Sequence, residues 1–306
     1  MELSIAIVNY NTKIITNNCI KSILKNSKGL NYEIIIIDNA SVDGSYDFLV
    51  KKYKNYKNIR IIKSKKNLGF AKANNKAAKI AKGRYLLFLN SDTIIENNIF
   101  GKIIDWMDKN NDVGIITCAL KNNDGTLQGS GGFFPTLFRV FCWMFFVEDI
   151  PLLDLYIKPF HPVHKKSFFY KGLSQFNKER EQDWVTGAFL LTRKGIFDKV
   201  NGFDEDYFMY TEEVDYCYRV KKMGLRVFYL PKWKIIHLGG ASSTKEFPII
   251  SEYKGIKIFY KKNMPNWQFP FLIFFLKAGA LLRALIFGLI EGRKAYEIYI
   301  KAFKVA

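Results

Sequence analysis

The sequence predicts an α/β protein built on a mixed, mostly parallel sheet flanked by helices, and three features predict it. Short apolar runs alternate with helical patterns from Leu3 to Leu89. The runs Ile34-Ile35-Ile36-Ile37 and Tyr85-Leu86-Leu87-Phe88-Leu89 are continuously apolar, as central strands covered on both faces are. Each run also stops in polar residues, at Asn9-Tyr10-Asn11, Asp38-Asn39, Asn67-Leu68-Gly69 and Asn90-Ser91-Asp92. In open parallel sheets the carboxyl ends of the strands share the edge where ligands bind, so four strand ends point to one pocket.

In order, the pattern predicts strands over Leu3 to Val8, Glu33 to Asp38, Ile59 to Lys63 and Tyr85 to Leu89. Helices are expected between them, over Lys13 to Asn26, Gly44 to Tyr53 and Phe70 to Ala81. A strand from Val113 to Cys118, a turn at Asn122 to Gly125 and an aromatic stretch from Phe133 to Phe169 follow. Trp184 to Thr192 reads as one buried strand, Asp204 to Tyr210 as a loop, and Glu212 to Met223 as a helix closed by Gly224. Arg226 to Leu230 and Lys234 to His237 are expected as two short strands around Pro231.

Composition narrows the function classes. The 306 residues are 49% hydrophobic and 16% aromatic, which suits a folded enzyme and excludes a disordered chain. The net charge of +19 favours polyanionic partners, and with the lysines dispersed and no nucleic-acid motif present, phosphorylated small molecules and acidic membranes remain. Cys19, Cys118, Cys142 and Cys217 are far apart with no CxxC pair, so neither a zinc knuckle nor a disulfide framework is expected. Met1 leads directly into an apolar strand, and the expectation is a cytoplasmic protein without a signal peptide.

The segments IVNYNT, IIIIDNASVDGS, KKNLGFAKANN, KGRYLLFLNSDT, VTGAFLLTRKGIFDKVNGFDEDYFMYTEEVDYCYRVKKMG and HLGGAS, in that order over about residues 3 to 243, resemble the family 2 glycosyltransferases, in the rhamnosyltransferase-like branch. The resemblance implies a GT-A fold, a nucleoside diphosphate (NDP) sugar donor, a divalent cation (Mg2+ or Mn2+) and inversion at the anomeric carbon. It implies a donor-binding set of Tyr10, Asn11, Asp38, Asn67, Gly69, Asn90 and Asp92, with Asp38 accepting from the nucleobase. Asp92 matches the last residue of a DxD-like motif whose first carboxylate is here Asn90, leaving one anionic protein ligand, and His237 is the expected further ligand.

Inversion needs one base opposite the leaving group. The family pattern Glu-Asp-x-Asp falls on Glu212-Glu213-Val214-Asp215, which gives Glu213 the role and leaves Asp215 as the alternative. Gly187 and Ala188 are expected to leave room for the sugar ring, and Asp204, Glu205 and Glu212 to line the sugar and acceptor region. A glycosyltransferase domain over 1–243 is expected, with a nucleotide-binding half over 1–120 and an acceptor and catalytic half over 121–243.

Residues 244–306 form a basic, apolar, helical segment that the sequence assigns to membrane association. From Tyr253 to Ala306 it carries 10 Lys and Arg against 2 Glu, and it contains the apolar run Phe269 to Ile290, interrupted by Lys277 and Arg283. Each central cation costs about 2.5 to 3.5 kcal/mol in a spanning helix, so an interfacial anchor on an anionic surface is the expectation. A span, or a helix buried on protein including at a homodimer interface, stays open. The expected function is transfer of a sugar, rhamnose or another hexose, to a polyprenyl-diphosphate-linked saccharide at the cytoplasmic face of the membrane. A nucleotide-sugar-binding scaffold that has lost activity is the alternative, suggested by Asn90 and Glu213.

Overall fold

A computed structural model describes residues 1–150, 152–153, 156–160, 176–240 and 246–306. Parts of the aromatic stretch and of the HLGGAS motif lie outside them. The order is β1 (Leu3–Asn9), α1 (Lys13–Lys25), β2 (Tyr32–Asp38), α2 (Ser45–Tyr53), β3 (Ile59–Lys63), α3 (Gly69–Ile80), β4 (Tyr85–Leu89), β5 (Thr93–Ile94), α4 (Phe100–Lys109), β6 (Val113–Lys121), β7 (Leu127–Gln128) and β8 (Gly131–Gly132). It continues with α5 (Leu137–Met144), β9 (Arg180–Gln182), β10 (Trp184–Val185), β11 (Phe189–Arg193), α6 (Lys194–Lys199), α7 (Glu212–Lys222), β12 (Arg226–His237), α8 (Glu246–Asn263), α9 (Phe269–Glu291) and α10 (Arg293–Val305).

The sheet runs β3-β2-β1-β4-β11-β6-β12-β5, with β7 against β6 and β9 against β12. Strands β1 to β4 are mutually parallel, in a register that ends Asn9 beside Asp38 and Asp38 beside Lys63. Strand β11 then enters antiparallel between β4 and β6, while β12 runs parallel to β6. The mixed α/β architecture expected from the sequence is therefore present, with β2 and β4 buried along nearly their whole length and the edge strand β3 only partly.

Successive strand residues serve opposite faces. Ile5, Ile34, Ile36 and Leu87 pack with Cys19, Ile20 and Ile23 of α1 and with Ile103 and Met107 of α4. Phe88, facing the other way, meets the rings of Phe197 and Phe203 at centroid distances of 5.0 and 4.8 Å, and both also touch Tyr216 of α7.

Two sequence expectations are corrected. The single strand over Trp184 to Thr192 is two, because Thr186 to Ala188 leave the ladder. The two short strands around Pro231 are one, since β12 absorbs the proline in a register shift between Leu230 and Lys234.

The chain divides into two compact units: Met1–Gly131, Leu173–Phe208 and Glu213–Ser242 form one, and Gly132–Gly172, Met209–Glu212 and Ser243–Ala306 the other. The second unit is helical. Gly279 of α9 faces Met144 of α5 so closely that a Cβ there would lie 2.8 Å from the Met144 sulfur. Arg283, 4% exposed, donates to the main-chain oxygens of Trp143 and Met144, capping the open carbonyl end of α5. The Lys277 ammonium lies over the Phe303 ring of α10. Both charges that interrupt the apolar run thus turn toward the unit's own helices, while Phe274 (64% exposed), Leu285 (62%) and Leu289 (89%) face outward.

Candidate active site

The carboxyl ends of β1 to β4 carry the expected residues, tied together by the side chains of Asn9, Asn39 and Ser41. Asn9 donates to Asp38 Oδ2 at 2.7 Å and to the Ser41 hydroxyl at 2.9 Å, and the Ser41 amide donates to Asp38 Oδ1 at 3.1 Å. Asp38 is fully buried by these partners, so it braces the β1 and β2 loops rather than opening onto solvent. Asn11, at φ 54°, accepts from the Val42 amide at 2.8 Å, and Tyr10 beside it is exposed.

Asn39 performs the same office for the next loop. Its Nδ2 donates to Asn67 Oδ1 at 2.8 Å, and its Oδ1 accepts from the Leu68 amide at 2.8 Å. Gly69 opens α3 at φ 76°, where a Cβ would overlap Phe208 O and lie 2.9 Å from Phe208 Cδ2. Only glycine admits that approach, and it lets the Phe70 amide donate to Phe208 O at 2.7 Å.

At Gly187 a Cβ would lie 2.9 Å from the tip of the Phe70 ring, so the small residue seats an aromatic ring. Ala188 is buried in the core and accepts from the Asn90 amide at 3.1 Å. In the neighbouring loop, Asn75 donates to Phe203 O at 2.8 Å and to Glu205 Oε1 at 3.1 Å, while Asp204 accepts from the Asp206 amide at 3.0 Å and shapes its own turn.

Asp92 and His237 meet because β5 pairs antiparallel with the end of β12, placing His237 opposite Thr93. The Leu238 amide donates to the Asp92 main-chain oxygen at 2.9 Å, locking the pairing. Asp92 Oδ1 lies 3.4 Å from His237 Nε2, and Asn90 Nδ2 lies 3.3 Å from the same nitrogen. Burial opposes the charged form of Asp92, but hydrogen bonding and charge from His237, with backbone amides including that of Gly239, outweigh it and hold the carboxyl below its usual value. A carboxylate oxygen and an imidazole nitrogen at this spacing suit two positions on one Mn2+ or Mg2+ ion, leaving the others to a ligand. Among the described residues no third His, Cys, Asp or Glu completes a cluster.

Helix α7 carries the acidic motif in its first turn, where the helix dipole favours ionised carboxylates. Asp215, buried, accepts from Arg219 Nε at 2.7 Å, and the same guanidinium donates to Gly202 O at 2.8 Å. Asp215 is thereby committed to holding the loop before α7. Glu213, two residues earlier, is half-buried, and Glu212 is buried.

The four thiols are buried, and that burial pushes Cys19 up to about 12 and Cys142 up to about 11, with Cys118 and Cys217 raised further. None offers a thiolate to chemistry near neutral pH.

The model of the family described as glycosyl transferase family 2 matches residues 4–200. The chain belongs to that family. This glycosyltransferase is 25% identical over 265 residues to the N-acetylglucosaminyl-diphospho-decaprenol L-rhamnosyltransferase of Mycobacterium tuberculosis, a match covering 82% of this chain and 81% of that one. It is 28% identical to the rhamnosyltransferase WbbL of Escherichia coli, over 71% of this chain and 78% of the relative. A mannosyltransferase from Pyrobaculum calidifontis, solved in complex with GDP-Man and Mn2+, shares the fold at TM-score 0.57 and 12% identity, covering 99% of this chain and 85% of that one. The GT-A expectation is met.

Proposed function

We propose that this glycosyltransferase moves a sugar of the rhamnose class from an NDP-sugar onto a polyprenyl-diphosphate-linked saccharide, with inversion, at the cytoplasmic face of the membrane. The observation that carries the reading is the facing of Asp92 and His237 at the carboxyl edge of the sheet. The activity of the mycobacterial relative, an N-acetylglucosaminyl-diphospho-decaprenol L-rhamnosyltransferase, supports the sugar and the lipid-linked acceptor.

In this mechanism Asp92 and His237 would hold a divalent cation, Mn2+ or Mg2+, which would supply positive charge to the diphosphate leaving group. The loops braced by Asp38 and Asn39 bind the nucleoside, with Tyr10, Asn11, Asn67 and Gly69 at the edge. Glu213 takes the proton from the acceptor hydroxyl as it attacks, with Asp215 holding the neighbouring loop. The outward apolar face of α9, within a 26-residue run long and apolar enough to cross a membrane, rests on an anionic bilayer.

The test is transfer from a panel of NDP-sugars to a polyprenyl-diphosphate-linked N-acetylglucosamine, with and without Mn2+. Metal-dependent transfer from a deoxyhexose donor is expected. Donor binding without transfer or hydrolysis across the panel would replace this reading with that of a binding scaffold.

A further inference from the structure

Gln128, in β7, grips His237 at two points. Its Nε2 donates to the His237 main-chain oxygen at 2.7 Å and to Asn122 Oδ1 at 2.6 Å. A main-chain carbonyl only accepts, so the amide nitrogen of Gln128 must face it and the orientation of the carboxamide is fixed. Its Oε1 then lies 2.7 Å from His237 Nδ1. An amide oxygen only accepts, so Nδ1 carries a hydrogen, and in the neutral ring Nε2 is left with a bare lone pair.

That lone pair faces Asp92 Oδ1 at 3.4 Å. With the ring neutral, Asn90 Nδ2, 3.3 Å from Nε2, is the donor to that lone pair, and a divalent cation would take its place and draw in Asp92 Oδ1 as well; with the ring protonated, Nε2–H donates to Asp92 instead. The separation of Nε2 and Oδ1 is about that of two ligands sharing one ion at bond lengths of about 2.1 Å. Strand β6 aligns the parts, since β7 pairs with its end at Leu120 and β12 pairs along its length.

We propose that Gln128 is a positioning residue which holds His237 in the Nδ1–H tautomer, so that Nε2 and Asp92 Oδ1 are presented together to a divalent cation before the donor arrives. It rests on the metal site of the proposed function and adds the residue that organises it. Glutamine suits the task because one side chain both accepts from the ring and donates to the same residue's backbone, fixing ring rotation as well as tautomer.

The test is a long-range 1H–15N spectrum of the full-length protein labelled with 15N-histidine, metal-free and above the pH at which the rings protonate. The chain has three histidines, and His161→Gln and His164→Gln assign the signal of His237. The Nδ1–H pattern is expected for His237 in the unsubstituted protein, and an Nε2–H pattern there overturns the proposal without any variant at Gln128. Gln128→Leu should release the ring toward Nε2–H and weaken Mn2+ binding, read by electron paramagnetic resonance with a nucleoside diphosphate present, by about 10- to 100-fold. Gln128→Glu keeps an acceptor for Nδ1–H but loses the donor to the His237 carbonyl, so it should restore the Nδ1–H pattern and recover Mn2+ binding only in part. Binding lost in Asp92→Asn but unchanged in Gln128→Leu would leave the metal site standing and remove Gln128 from it. Binding indifferent to both Asp92→Asn and Gln128→Leu would overturn the metal site and this proposal together.

Discussion

Gly255 of α8 faces Thr211 so closely that a Cβ on the glycine would overlap the Thr211 hydroxyl and lie 2.7 Å from its Cβ. Thr211 and Tyr210 both hold positive φ, 75° and 71°, a conformation that β-branched and bulky residues keep only when their surroundings enforce it. Gly255→Ala should therefore cost about 1 to 3 kcal/mol in chemical denaturation through overpacking. Adding Thr211→Gly removes the colliding atoms and the strained φ together, so the double variant should recover most of that loss. Full additivity of the two changes would disprove the coupling.

Asp92→Asn is expected to lose metal-stimulated transfer while keeping its melting temperature, because the backbone pairing of Asp92 with Leu238 does not involve the side chain. Activity titrated against Mn2+, beside a thermal melt, checks it. Normal turnover at saturating Mn2+ would exclude Asp92 as a ligand.

Glu213→Gln and Asp215→Ala should fail in different ways. Removing a general base costs about 10²- to 10⁴-fold in turnover, so Glu213→Gln is expected to lose kcat with its fold intact. Asp215→Ala strands the Arg219 guanidinium, partly reached by solvent, and should cost about 2 to 3 kcal/mol of stability. An active Glu213→Gln would remove the assignment of the base.

The outward face of α9 should hold the protein on anionic vesicles. Phe274→Glu and Leu285→Glu alter exposed positions and are expected to abolish co-sedimentation with phosphatidylglycerol vesicles at unchanged melting temperature. Arg283→Met, by contrast, should destabilise the helical unit, since the carbonyls of Trp143 and Met144 lose their donor. Vesicle binding untouched by either glutamate would show that the apolar face serves something else.

All four cysteines should resist a thiol-specific reagent in the native protein at mildly alkaline pH and react together once guanidinium unfolds it. Burial both blocks access and raises the thiol pKa values, Cys19 to about 12 and Cys142 to about 11. A fast-reacting fraction in native protein would show that one of these sites opens.

How much of this was legible beforehand depended on the range of the interaction. The strands and helices from Leu3 to Leu89 match their apolar periodicity within a residue or two, since that periodicity is written in neighbouring positions. The strand-end residues Asp38, Asn67 and Asp92 were visible because parallel sheets put polar residues there. Asn9 and Asn39 were visible as strand ends but not as braces, and Gln128 was missed because nothing local marks it: their hydrogen bonds cross 29, 28 and 109 positions of sequence. The contact of Gly187 with Phe70 was illegible for the same reason, its partner being far away in the chain.

The sequence by itself determined the α/β class, the polar carboxyl edge of the sheet and the acidic turn that opens α7. Tertiary structure alone decided that β5 lies against β12, which brings His237 within 3.4 Å of Asp92. It also decided that Asp215 answers to Arg219, that Arg283 of α9 is buried against the end of α5, and that Lys277 lies over the Phe303 ring. Periodicity reports which face of an element is buried; which distant residue meets that face is fixed only when strands from separate parts of the chain pair.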